Sequence, residues 1–272
     1  MSVSIRSLHT MAEMETAQEL LSDVWHSDSA QLDAATMRAL AHAGNYVAGA
    51  FDGEPDEAGV MIGCAVGFFA APSDRTLHSH IAGVRPALAG QGVGTALKHH
   101  QRTWCLQRGV TAITWTFDPA IARNAYFNLT KLGVTVLDYL EDFYGPLADD
   151  INAGLPTDRL LVRWDLGAPA GGAVDVSSAT VALEIDAHDA PVERAVDPRA
   201  GVVLVEVPPD MEQLRHESPA LGAAWRLTLR SVLSPYVAAA GWTVSGFLKR
   251  GAYVVSRHSD SAGSTVTSGS AR

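Results

Sequence analysis

Between Leu77 and Arg108 an alternating segment, a glycine-rich turn and a helix start follow one another directly, in LHSHIAGVRPALAGQGVGTALKHHQRTWCLQR. The first part puts His78, His80, Ala82 and Val84 on one side and Leu77, Ser79, Ile81 and Gly83 on the other, which is the period of a strand. Arg85-Pro86 ends it, because proline fixes its own φ and removes a ladder donor. Ala89-Gly90-Gln91-Gly92-Val93-Gly94 reads as the turn. Thr95-Ala96-Leu97-Lys98 opens a helix to about Arg108, which Gly109 closes. The first turn of a helix carries N–H groups without internal partners and a partial positive charge. Glycines beside it let an anion approach the backbone. The stretch therefore predicts a phosphate site.

Charge points the same way. No Asp or Glu occurs from Arg75 to Phe117, while Arg75, Arg85, Lys98, Arg102 and Arg108 do, in a chain whose net charge is -10. The acidic balance of the whole argues against a nucleic-acid partner. A length of 272 residues with 47% hydrophobic content suits one large domain or two small ones with an ample core. No stretch reads as a membrane span and the N-terminus shows no signal pattern. Cys64 and Cys105 form no disulfide framework, so a cytoplasmic setting is expected.

Two common phosphate loops fit poorly. The Walker A pattern needs Gly-Lys-Ser/Thr, but Thr95 follows Gly94 and Lys98 is displaced. The dinucleotide fingerprint needs a third glycine where Leu97 stands. His78 and His80 add chemistry of another kind. On a strand they share a face, and a histidine near pKa 6.5 is suited to take a proton from an alkylammonium. The pair also reads as half of a zinc site or as hydrogen-bonded core histidines. Zinc wants further ligands, and the cysteines lack metal spacing.

The remaining elements are read in order. Val3 to Leu8 is a strand, Met11 to Trp25 a helix capped by Thr10 with Glu13, and Asp33 to His42 a second helix. Tyr46 to Phe51 and Val60 to Ala71 are strands. After the central stretch, Ala112 to Phe117 is a strand, Ile121 to Leu132 a helix closed by Gly133, and Val134 to Tyr139 and Leu160 to Leu166 are strands. Gly167 to Ser178 reads as a linker. Beyond it come strands at Thr180 to Ile185 and Val202 to Val207, an amphipathic helix at Pro219 to Gly241, and a hairpin of Trp242 to Leu248 and Ala252 to Arg257. Ser259 to Arg272 is Ser/Thr/Gly-rich and reads as disordered.

Gly92-Val93-Gly94 matches the second half of the acyl-CoA loop, Gln/Arg-x-x-Gly-x-Gly/Ala, of the GNAT acyltransferases, with Ala89 standing where Gln or Arg usually opens it. His78-Ser79-His80-Ile81-Ala82-Gly83-Val84 resembles the corresponding strand of the arylalkylamine N-acetyltransferases, whose His-x-His pair helps deprotonate the amine. Asp138 to Arg163, with Thr114 to Pro119 and Arg123-Asn124, resembles a bacterial GNAT subfamily of predicted acyltransferases with a C-terminal extension. The resemblance implies an α/β (α+β) fold. It has a mixed, mostly antiparallel central sheet flanked by helices over 1–166, then a linker at 167–178, a β-β-α-β-β unit over 179–257 and a tail at 258–272. It implies acetyl-CoA or another acyl-CoA as donor, no metal, and a small-molecule amine or amino acid as acceptor.

The same resemblance implies residue roles. Arg85, Ala89, Gly90, Gln91, Gly92, Val93, Gly94 and Thr95 receive the donor pyrophosphate. Gly83 and Val84 offer a backbone N–H to the thioester carbonyl, and Asn124 faces CoA. His78 and His80 serve as base. Leu129 stands where the family's acid tyrosine is usual, which leaves Tyr126, Tyr139 and Tyr144 as nearby candidate acids, Tyr144 foremost, or a thiolate that leaves without a dedicated acid. Asp118 reads as a helix cap or an acceptor contact, and Asn152 and Arg159 as polar acceptor contacts, Arg159 suited to a carboxylate. The C-terminal unit is expected to cover the acceptor side or to form a homodimer contact. The rival reading is a non-catalytic acyl-CoA-binding regulatory module.

Overall fold

The computed structural model of the chain describes residues 2–25, 32–53, 59–145, 156–168 and 175–258. Asn152, positions 169–174 of the linker and the tail from 259 lie outside them.

Seven strands form the first sheet: β1 (Val3–Ser7), β2 (Tyr46–Asp52), β3 (Val60–Phe69), β4 (Thr76–Val84), β5 (Ala112–Phe117), β6 (Thr135–Leu140) and β7 (Arg159–Asp165). Their order is β1-β2-β3-β4-β5-β7-β6. All neighbours are antiparallel except β4 and β5. A parallel pair needs a crossover, and helix α3 supplies it below.

Helix α1 (Met11–Trp25) starts where the sequence predicts it. Glu13 accepts from the His9 and Thr10 N–H groups at 2.8 Å, and its own N–H donates to Thr10 Oγ1 at 3.3 Å. Burial would raise the Glu13 carboxyl, but these N–H groups and Arg6 hold it down at about 2. The stripe Met14, Ala17, Leu20 and Leu21 is buried against Cys64 and Val66 of β3. Helix α2 (Ala34–His42) is capped by Asp33, which accepts from the Thr36 N–H.

Helix α3 (Val93–Leu106) crosses the opposite face of the sheet. The helix read over 121–132 departs from expectation. Only α4 (Ala122–Ala125) is α-helical, and Tyr126–Leu132 continues as a π-helix to Gly133, at φ 69°. This wider turn makes two tertiary hydrogen bonds. Asn128 Oδ1 accepts from Trp115 Nε1, and Thr130 Oγ1 donates to the Phe247 carbonyl. Departures of this kind arise where local geometry answers to tertiary contacts.

The second sheet contains β8 (Thr180–Ile185), β9 (Pro191–Glu193), β10 (Val202–Glu206), β11 (Trp242–Leu248) and β12 (Ala252–Arg257), in the order β11-β12-β10-β8-β9. Strand β9 and helix α5 (Met211–Glu217) are absent from the sequence reading. Ser218-Pro219 separates α5 from α6 (Pro219–Ala238), since the residue before a proline is driven out of helical geometry. Trp225, Leu229 and Leu233 of α6 are buried in one continuous core with Leu160 and Trp164 of β7 and Val205 and Tyr253 of the second sheet. Burying each such side chain is worth about 1.5–3 kcal/mol. The C-terminal unit therefore shares its core with the first sheet. Among the described residues no helix is long and apolar enough to cross a membrane.

Candidate active site

Strands β4 and β5 are joined by only three rungs, Thr76↔Ala112, Leu77↔Ile113 and His78↔Thr114. Beyond them β4 stays paired with β3 as far as Val84, and β5 stays paired with β7 as far as Phe117. Each strand is held on its outer side and released on its inner side, so a wedge opens between them. The Arg85 N–H donates to the Ile62 carbonyl at 2.9 Å. By the alternation of an antiparallel ladder, the Val84 and Ala82 N–H groups point the other way, into the wedge.

A bulge re-aims the side chains here. The ladder runs Val66↔Ile81 and then Gly67↔Ser79, so His80 is an extra residue on β4. A one-residue insertion exchanges the faces beyond it, which corrects the simple alternation read from the sequence. His78 and His80 lie 5.3 and 5.6 Å from the Phe68 ring and 6.4 Å from each other, between ring centroids. Gly83 backs onto Trp25 and Leu21 of α1, and Val84 lies beside Leu97 of α3 around Gly63. The α1 side therefore carries His78, His80, Ile81 and Gly83. Ala82 and Val84, placed with the histidines by alternation, lie on the α3 side with Leu77 and Ser79.

His78 Nδ1 is 3.3 Å from Thr114 Oγ1 of β5. Both histidines are half-buried. Burial lowers the pKa of each, and His80 and Lys98 lower His78 further. Both are therefore neutral near pH 7 and able to accept a proton. Thr116 Oγ1, on the same face of β5, lies 3.2 Å from the Tyr144 hydroxyl. The Arg159 guanidinium lies 5.4 Å from the Tyr144 ring centroid. One surface thus collects His78, His80, Thr114, Thr116, Tyr144 and Arg159.

At the mouth of the wedge, Gly90 and Gly92 adopt φ of 78° and 90°. Gly92 is the N-cap of α3, without a side-chain cap. A Cβ at Gly90, Gly92 or Gly94 would meet nothing within 4 Å. Ala89, Gly90, Gln91 and Gly92 are exposed, Val93 is buried and Thr95 half-buried. Open space above an uncapped helix start is what an anion needs. Gly92→Val places a branched side chain at a left-handed φ, which costs about 1–2 kcal/mol. Thermal unfolding should show a fall of roughly 2–6 °C.

The basic island serves other ends. Arg75 Nε donates to the Gly109 carbonyl at 3.1 Å, and Arg102 donates to the Leu166 carbonyl at 2.5 Å. Arg108 lies over the Trp104 ring and Lys98 over the Trp115 ring. Arg85, which leads into the loop, donates through Nε to the Met61 carbonyl at 3.0 Å and lies 3.5 Å from Asp23. Asn124 is exposed on α4, and Leu129 is buried.

Asp118 turns away from the wedge. Its Oδ1 accepts from the Ala120 N–H at 2.9 Å and from Arg226 at 2.8 Å. Its Oδ2 accepts from Arg226 at 2.7 Å and Arg215 at 2.8 Å, with Arg159 at 4.0 Å. Burial would raise its pKa, but Arg226, Arg215 and Arg159 hold it far below the usual carboxylate range. In place of the acceptor contact read for it, Asp118 ties β5 to α5 and α6. The turn to Ala120 precedes the helix: the N-cap of α4 is Ile121, with no side-chain cap, so Asp118 does not cap it either. Buried Asp158 does the same for β7, accepting from Tyr139 Oη at 2.9 Å and from Arg230 at 2.9 and 2.5 Å. These arginines were missed in the sequence. Their signal was Arg226 and Arg230, four apart in an otherwise apolar helix, a spacing that puts both on one face. Among the described residues no group of three His, Cys, Asp or Glu side chains is placed to hold a metal ion.

Residues 9–133 match the family model described as the Acetyltransferase (GNAT) family. The fold is similar to the ribosomal-protein-S18-alanine N-acetyltransferase of Escherichia coli, at 16% identity and a TM-score of 0.49 over 64% of this chain and 100% of that one. It is also similar to yncA of Salmonella typhimurium, whose structure includes its cofactor acetyl-CoA, at 19% identity and 0.47 over 64% and 99%. The IAA acetyltransferase of Bacillus cereus is similar at 16% identity and 0.45 over 60% and 99%. No curated protein sequence matches the chain. Through residues 9–133, this chain carries an acetyltransferase domain of the GNAT family.

Proposed function

We propose that the protein transfers an acetyl or other small acyl group from an acyl-CoA to the amine of a small molecule or amino acid, by direct attack. The observation that carries this reading is the wedge between β4 and β5, with the glycine loop at its mouth and the histidine pair at its closed end. The donor pyrophosphate rests on Gly90 to Thr95, with Asn124 of α4 towards the CoA, and the pantetheine arm fills the wedge. The Val84 N–H, directed into the wedge near its mouth, meets the pantetheine arm. His78 or His80, directly or through one water, removes the proton of the acceptor amine. Arg159, beside Tyr144, binds an acceptor carboxylate. The unit over 179–257 walls the acceptor side through its arginines on Asp118 and Asp158.

Thermal unfolding with acetyl-CoA, succinyl-CoA, free CoA, ATP and NAD tests the donor. A ligand held at a hundred times its Kd adds about 2.7 kcal/mol, so a rise with the CoA species alone is expected. No rise with any of them sinks the reading. The second reading, a non-catalytic acyl-CoA-binding module, draws on Leu129, which offers no proton to a leaving thiolate. Saturating CoA binding without acyl transfer to any amine would favour it.

A further inference from the structure

Lys98 is a buried charge that the chemistry above leaves unused. It lies on α3, only 8% exposed. Its Nζ donates to Ser79 Oγ at 2.9 Å and lies 3.5 Å from Gln101 Oε1. It also sits 3.8 Å from the centroid of the Trp115 ring. Ser79 and Trp115 are the first residues of β4 and β5 beyond their last shared rung, His78↔Thr114. The ammonium therefore bridges the two strands at the closed end of the wedge. It does so on the α3 side, while the histidines stand on the α1 side. A donor arm that enters from the glycine loop and fills the wedge ends with its sulfur beside this group.

Resting on the acyl-CoA reading, we propose that Lys98 donates the proton that the departing CoA thiolate takes up. The acceptor nitrogen forms its bond to the acyl carbon, and the carbon–sulfur bond breaks with its electron pair passing to sulfur. Nζ–H gives a proton to that sulfur. The nitrogen loses its proton on the opposite face, to the histidine side. Lys98 recovers a proton from water as products leave, so thioester and amine become amide and thiol.

The surroundings suit the task. Burial brings the Lys98 ammonium down to about 7, with the Cys105 thiol acting weakly the other way. The titratable groups that face it are Cys105 on α3 and His78 on β4, both neutral at that pH. No carboxylate among the described residues forms an ion pair with it. The ammonium thus gives up its proton readily, and a thiolate formed beside it would be its only counter-charge.

The test needs no acceptor. Free CoA is bound to the full chain, and the ionisation of its thiol is followed across pH by thiolate absorbance, with binding measured separately by calorimetry. An opposite charge within a few ångströms lowers a pKa by about 1–3 units, so the bound thiol should ionise about tenfold or more more readily than free CoA. In Lys98→Met, CoA should still bind within about threefold, and the thiol should return to its free value or higher. Lys98→Gln serves as a second neutral variant should Lys98→Met not fold. CoA bound with an unshifted thiol in the wild type, or with the same shift in the neutral variant, overturns the proposal and leaves the donor reading intact. No CoA binding by the wild type overturns the donor reading itself.

Discussion

Replacing Asp118 by alanine should lower stability by about 3–5 kcal/mol, the usual cost of removing one partner from a buried ion pair. The magnitude follows from what is left behind. The Arg215 and Arg226 side chains are 3% and 1% exposed, and both reach the same carboxylate. Without it the buried cationic groups lose the anion that offsets their desolvation, and the Ala120 N–H loses its acceptor. Since whole domains are stable by only about 5–15 kcal/mol, this loss is a large fraction of the total. Urea unfolding at pH 7 should show a much lower midpoint. A loss below about 1 kcal/mol would mean that the cluster contributes little. The pH dependence has a definite sign. The folded carboxyl lies far below its unfolded value near 4. Its contribution is therefore fully present above about pH 4 and is lost as the pH falls through the folded value. The gap between wild type and Asp118→Ala should be constant near neutrality and should narrow in strong acid.

Removing the proposed base should cost activity rather than stability. Loss of a positioned general base typically slows a reaction by about 10²–10⁴-fold. Of His78→Ala and His80→Ala, the variant that lacks the working base should lose kcat by that factor while acetyl-CoA still stabilises it. Burial lowers both histidines below their ordinary value of 6.5. The wild-type rate should therefore be level at neutral pH and decline on an acid limb below 6.5, as the rings take up protons. The linked stability term has the same direction, since the unfolded histidines bind protons first and stability falls as the pH drops through 6.5. A double variant that keeps both kcat and the acid limb would place the base elsewhere. The Lys98 inference predicts a change of another kind, in the thiol of bound CoA, so the two proton transfers can be followed separately.

Much of this was legible in the chain itself because it is local. The capping pair Thr10 and Glu13, the buried stripe of α1 and the strands at Ala112–Phe117, Trp242–Leu248 and Ala252–Arg257 are set by residues a few positions apart. The glycine turn was equally readable, since positive φ at Gly90 and Gly92 is a property of the residue type. The histidine pair was readable as a pair, because both residues precede the change of faces that their own bulge introduces. The bulge itself was not. It is a slip of β4 against β3, and periodicity along one strand carries no record of where its neighbour stops matching.

Charge is where local reading and tertiary structure part most clearly. A run free of Asp and Glu reads as a basic face, yet Lys98 is buried over Trp115, and Arg75 and Arg102 bind backbone carbonyls. Asp118 reads as a cap or an acceptor contact until Arg215 and Arg226, 97 and 108 residues away, close on it. The sequence by itself determined most of the elements, their order and the glycine turn, because backbone sterics and hydrophobic periodicity act over short spans. Only the tertiary structure decided which strand face meets which helix, where the sheet opens, and which charges are buried together. Those depend on register and on partners brought from the far end of the chain, where the energy of a contact is set by what surrounds it.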